Sequence, residues 1–168
     1  GGVRGAPSCA GPAAPQPRPF FARPPPQPAT SPPLPLPTNT PAVVPTLNFS
    51  LPPVFGSTAL TSGFVPDPFT VGITGGGPVN VSYLGAGCTG FTSAAPSFSV
   101  NYTAGAFPLL RFYFISGADT TMVINTPSGS YVCVDDSFGT LNPTLDFNSP
   151  SSGRYDVWIG TFASGGSA

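Results

Sequence analysis

Seventeen of the chain's 25 prolines fall within residues 1–54, in runs such as Pro24-Pro25-Pro26 and Pro32-Pro33-Leu34-Pro35-Leu36-Pro37. Proline fixes φ near about −65° and lacks an N–H, which excludes this stretch from helix and from central strands. Its expected form is extended polyproline II, rising about 3.1 Å per residue. From Pro7 to Pro45 the reach is on the order of 120 Å, far longer than a small domain. After Pro53 the prolines thin out, and short alternating apolar runs take over between glycine and serine turns. The chain therefore divides into a proline-rich extended arm, residues 1–54, and a β-domain, residues 55–168.

The β-domain reads as short strands at Phe69–Ile73, Val79–Tyr83, Ser97–Tyr102, Leu109–Ile115, Met122–Asn125, Tyr131–Val134, Thr144–Phe147 and Tyr155–Phe162. No window sustains a helical period. About eight short strands with turn signals between them predict an all-β sandwich or jelly roll.

Reaction chemistry finds few carriers here. The chain has no histidine, lysine or glutamate; its charges are five arginines and six aspartates. General acid–base catalysis draws mainly on His, tuned Glu or Asp, Lys, Tyr or Cys. A nucleophilic serine would lack its usual base, and a zinc site would lack imidazole. Two carboxyls suffice for glycoside hydrolysis, but no pair is marked for it. The expectation is a protein that is not an enzyme.

Net charge is −1, only 7% of residues are charged, and there is no basic cluster. Nucleic acid is therefore not an expected partner, because it calls for a dense cationic footprint. Apolar runs are far shorter than the roughly 20 residues of a membrane span. Low charge with 40% hydrophobic residues fits a surface covered by neighbouring copies or by sugar, or an ordinary Ser/Thr-coated secreted domain. With no initiator Met and no recognisable signal peptide, the chain reads as a mature product or a fragment.

Cys88 and Cys133 lie within the β-domain and read as one disulfide, which implies an oxidising compartment; two buried free thiols are the alternative. The closed loop of about 44 residues is worth about 3–4 kcal/mol in the chain-entropy model. Cys9, left over in the arm, points to an intermolecular bond or a modified thiol. Three Asn-x-Ser/Thr triplets make Asn48, Asn80 and Asn101 candidate glycosylation sites. Thr30, Ser31, Thr38 and Thr40, set among prolines, match the composition of O-glycosylated stalks.

Five segments resemble the bacterial pre-peptidase C-terminal-like domain: Phe64-Val-Pro-Asp-Pro-Phe, Gly87-Cys-Thr-Gly-Phe, Ala118-Asp-Thr-Thr-Met-Val-Ile-Asn-Thr-Pro-Ser-Gly, Cys133-Val-Asp-Asp-Ser and Gly153-Arg-Tyr-Asp-Val-Trp-Ile-Gly-Thr-Phe. The resemblance covers roughly residues 57–166. It implies a non-catalytic β-sandwich module on an exported protein and supports pairing Cys88 with Cys133. Members of that family usually carry a further strand of the form G-x-L-x-I/V after the Trp-x-Gly strand. Here the sequence continues as Ala163-Ser-Gly-Gly-Ser-Ala168, which predicts an unpaired edge and an uncovered groove.

Thr46–Leu51 alternates and places Leu47, Phe49 and Leu51 on one face, with Val43 and Val44 just upstream. These are the candidate assembly residues. The segment either fills a neighbour's groove by strand addition or pairs with its own domain as a first strand. Asp119, Asp135 and Asp136 form the candidate cation site, with calcium as the ion suited to hard oxygens; capping or solvated aspartates are the alternative. Apart from calcium no cofactor is expected. Trp158, Phe112, Phe114 and Tyr155 read as core rather than a carbohydrate platform. Together these features predict an extracellular or cell-surface polymer whose partner is a second copy, with glycans as a further partner class. The alternative is an accessory or carbohydrate-binding module whose arm is a linker.

Overall fold

The computed structural model describes Pro15 and residues 44–168; Cys9, Thr30, Ser31, Thr38, Thr40, Val43 and the extended form expected of the arm lie outside the described residues. The described chain is all-β, with nine strands and a single 3₁₀ turn. In order these are β1 (Ser57–Thr61), β2 (Val79–Asn80), the turn Val81–Leu84, β3 (Phe91–Thr92), β4 (Phe98–Thr103), β5 (Leu109–Tyr113), β6 (Thr120–Asn125), β7 (Tyr131–Val134), β8 (Thr144–Asn148) and β9 (Gly153–Thr161).

Strand β9 organises the larger sheet. Its sequence, rich in β-branched and aromatic residues, suits a strand packed on both faces, and all but its first two residues are buried. On one side it pairs antiparallel with β4, from Phe98↔Val157 to Tyr102↔Gly153, and then with β3 at Phe91↔Thr161. On the other side lies β6, from Thr120↔Thr161 to Asn125↔Asp156. The sheet is completed by β1 parallel to β4, β7 beside β6 and β2 beside β3. Close approach fixes one glycine at this junction. Gly90 has φ +95°, and a Cβ there would sit 2.5 Å from the Thr121 hydroxyl, so no other residue fits without displacement.

Side chains alternate across a strand, and both faces of this sheet are covered. Forward-facing Phe98, Val100, Tyr102, Met122, Ile124, Tyr155, Val157 and Ile159 form one core with Leu110 of β5. Phe112, Leu145 and Phe147 pack against it from the second sheet, the antiparallel pair β5–β8, as does Phe114 just past the end of β5. Tyr155 sits at its centre, with its ring 5.2 Å from Phe147 and 5.7 Å from Phe112. The rearward residues Val123 and Trp158 form a second core with Val79, Val81 and Leu47, flanked by Cys88, Cys133 and Tyr131. Trp158 is fully buried, and its indole N–H donates to the Ala94 carbonyl at 3.3 Å. Trp158 and Tyr155 are core residues, as the sequence predicts.

Two predicted strands are not formed. Among the described residues Phe69–Ile73 pairs with no strand, and Val79–Tyr83 is cut to two strand residues before the 3₁₀ turn. Asn80 produces that switch by accepting the Ser82 N–H at 2.9 Å, a local bond that competes with a sheet ladder. Thr46–Leu51 is not a strand either. Asn48 accepts the Ser50 N–H through its side chain and the Leu51 N–H through its carbonyl, which closes a turn. Leu47 alone of the three alternating residues is buried, while Phe49 and Leu51 are exposed, as is Val44. Leu47 is therefore an anchor to its own domain: its N–H meets the Tyr83 hydroxyl at 2.7 Å, and Asn48 N–H meets the Ala94 carbonyl at 2.8 Å. Packing thus begins inside the stretch that proline content assigns to the arm.

Cys88 and Cys133 are bonded, with Cα atoms 5.1 Å apart. The bond points to an oxidising compartment. Among the described residues no helix is long and apolar enough to cross a membrane.

Candidate functional site

Among the described residues the second sheet has only two strands, and these leave part of the forward face of the first uncovered. Beside β5 an apolar cavity of about 760 Å³ opens between the sheets, a size typical of ligand sites rather than of packing gaps. Phe98, Val100, Val157 and Ile159 of the large sheet form its floor. One wall is β5; the other is the unpaired segment from Phe64 to Ile73. Phe69 leans on the floor with its ring 6.3 Å from that of Phe98.

This segment keeps apolar alternation without joining a sheet, because Pro66 and Pro68 interrupt it and remove two donors. The rim stays exposed: Phe107 is 62% accessible, Leu109 45% and Ile115 79%. A cluster of large apolar side chains left to water in this way marks an interaction surface.

The open edge of β5 can be read residue by residue. Phe114 N–H bonds to the Pro143 carbonyl and Ser149 N–H to the Pro108 carbonyl. With the register Leu110↔Phe147 and Phe112↔Leu145, these bonds place the even-numbered residues in the bonded pairs with β8. The N–H and C=O groups of Leu109, Arg111 and Tyr113 consequently face the free edge, and no strand among the described residues pairs with it. Leu110 and Phe112 meanwhile face the core. Arg111 is held outward by a two-pronged pair with Asp146, at 2.6 and 2.7 Å, and lies over the Phe138 ring at 5.8 Å.

Asp119, Asp135 and Asp136 are brought together, with one oxygen of each within 4.8 Å of the others. One oxygen of Asp119 and one of Asp135 are buried without a hydrogen-bond partner. Burial, then the charges of Asp136 and Asp119, raise the Asp135 pKa above its ordinary value. Carboxylate donors of this kind suit calcium, supplying three of the six to eight oxygens it takes. Asn48, Asn80 and Asn101 are all exposed. The first two fold their side chains back onto the backbone N–H two residues on.

The sequence led to an expected groove after the Trp-x-Gly strand, whereas the groove described here lies beside β5 and its walls carry no such signal. Alternation at Phe69–Ile73 suggested a strand, although the two prolines just before it argue against pairing. The edge residues Leu109, Arg111 and Tyr113 carry no side-chain signature, since what they offer is backbone. Comparison of the chain with protein-family models, curated proteins and solved structures returned no match.

Proposed function

We propose that this protein is a non-catalytic structural subunit of an extracellular filament or surface polymer, in which the proline-rich N-terminal arm of one copy docks on the β-sandwich of the next. One observation carries the reading: a two-stranded second sheet leaves an apolar groove beside a free strand edge, on a chain that also bears a long proline-rich arm. Such an edge takes an added strand from another chain. A contact between two different surfaces, repeated head to tail, grows an open fibre. The disulfide and the resemblance to exported pre-peptidase C-terminal-like modules support an extracellular setting.

Electron microscopy and sedimentation of the chain, beside a version lacking residues 1–43, test this reading. The truncation stops short of Leu47 because that residue belongs to the rear core. Fibres from the full chain and dispersed domains from the truncated one are expected. Dispersed domains in both preparations would sink the polymer reading and leave the accessory-module alternative, with glycan binding as its next test.

A further inference from the structure

Resting on the polymer reading, we infer that the groove is filled by Pro33-Leu34-Pro35-Leu36-Pro37 of a second copy, added as a strand parallel to β5. The groove needs two things from an occupant: apolar side chains for its floor and backbone groups for the β5 edge. It must supply both without leaving donors stranded on its far side.

Within residues 32–37 only Leu34 and Leu36 carry a backbone N–H, and both are large and apolar. In an extended strand, residues two apart share one face and also direct their N–H and C=O to the same side. Drawn from polyproline II into this strand form on docking, Leu34 and Leu36 present side chains together and hydrogen-bonding groups together. The intervening prolines fall where the missing N–H would point away from the sheet, the place where an edge strand tolerates proline.

Orientation follows from the parity of β5. Its core-facing residues, Leu110 and Phe112, direct their N–H groups toward β8, and its outward-facing residues direct theirs to the open edge. A parallel neighbour repeats the same handed arrangement. Its core-facing residues, lying on the far side from β8, aim their N–H groups at β5. An antiparallel neighbour reverses this: leucines facing the floor would turn their N–H groups away, and prolines without donors would face the edge.

Placed in parallel, Leu34 lies opposite Leu110 and Leu36 opposite Phe112. Leu34 N–H then donates to the Leu109 carbonyl and its C=O accepts from Arg111. Leu36 N–H donates to the Arg111 carbonyl and its C=O accepts from Tyr113. These four bonds run to the open β5 edge, and the leucines enter the aromatic floor.

Other stretches of the arm fit less well. Ala14-Pro15-Gln16-Pro17-Arg18-Pro19 has the same alternation but would bury Gln16 and Arg18, at the cost of desolvating polar groups. Residues 24–45 carry no charge, as suits an apolar floor. In the polymer reading the donor is a second copy: Leu47 lies in the core behind the large sheet and the groove opens in front of it, so a segment returning to its own groove would have to pass round that sheet.

The test uses the full chain. Leu34→Ser with Leu36→Ser leaves every described core residue untouched and is expected to raise the concentration needed for assembly by about a hundredfold or more, from the loss of two buried leucines. Orientation is read by cross-linking in a Cys9→Ser background. Parallel neighbours lie about 4.8 Å apart, within the range a disulfide spans. Pro37→Cys with Tyr113→Cys is expected to give a ladder of covalent multimers, and Pro37→Cys with Leu109→Cys none. A ladder from the Leu109 pair alone would overturn the parallel register. A cross-link confined to single chains would overturn the second copy as donor. Assembly of the double-serine chain at the parent concentration, when removal of residues 1–43 abolishes it, would overturn this segment and leave the arm reading standing.

Discussion

Asp135 holds one carboxylate oxygen in the interior without a hydrogen-bond donor, beside Asp119 and Asp136. Desolvation and like charge raise its pKa in the folded chain above the ordinary value of 3.8. A carboxyl whose native pKa is raised binds its proton more tightly folded than unfolded. It therefore costs stability as pH climbs from 3.8 through the raised value, and the cost is complete above it. Asp135→Asn, in chelator-containing buffer, is expected to melt at higher temperature than the parent at about pH 7. The difference should shrink toward about pH 4, and a melting series across that interval checks it. Asp156 shows the opposite solution for a buried carboxylate. It is buried in β9 but accepts from the Ser99 hydroxyl at 2.5 Å and from Arg154 Nε at 2.8 Å, the pairing a buried charge requires.

At the level of elements, alternation found the strands that pair along their length. Ser97–Tyr102, Leu109–Ile115, Met122–Asn125, Tyr131–Val134, Thr144–Phe147 and Tyr155–Phe162 all correspond to strands within a few residues. It missed the two-residue β3 and also β1, whose Ser-Thr-Ala-Leu-Thr sequence is half polar because β1 is an edge strand. It overread Phe69–Ile73 and Thr46–Leu51, where apolar spacing reflects contact with a core rather than a ladder. The free edge of β5 was illegible for a related reason: pairing parity depends on which partner β5 meets, and that partner, β8, lies more than 30 residues away. The turn at Asn48 gives this difference a measurable form. Leu47→Ala is expected to cost about 2–4 kcal/mol, as for other buried leucines, whereas exposed Phe49→Ala should stay within about 0.5 kcal/mol. Denaturant melts of both variants decide it, and equal effects would place residues 46–51 in a strand after all.

Considered whole, the described domain packs Leu47 into a rear core and opens a groove on its forward face, the groove to which the proposed reading assigns a neighbour's arm. The disulfide lies in the same rear core as Leu47. In a polymer under tension, load would enter each copy at Leu47 and leave through β5, crossing the large sheet on the way. A strand pulled along its own axis stresses its ladder bonds together, so the docked segment resists shear as a unit. The weaker station is then the rear core, where one leucine, a short turn and the backbone hydrogen bonds of Leu47 and Asn48 hold the chain, and Cys88–Cys133 ties the loop around that anchor to β7. Stretching single fibres before and after reduction is expected to show rupture at lower force, with slack released from the 45-residue interval that the disulfide closes. The bond would then serve less to stabilise a resting domain than to keep a pulled one from paying out its length.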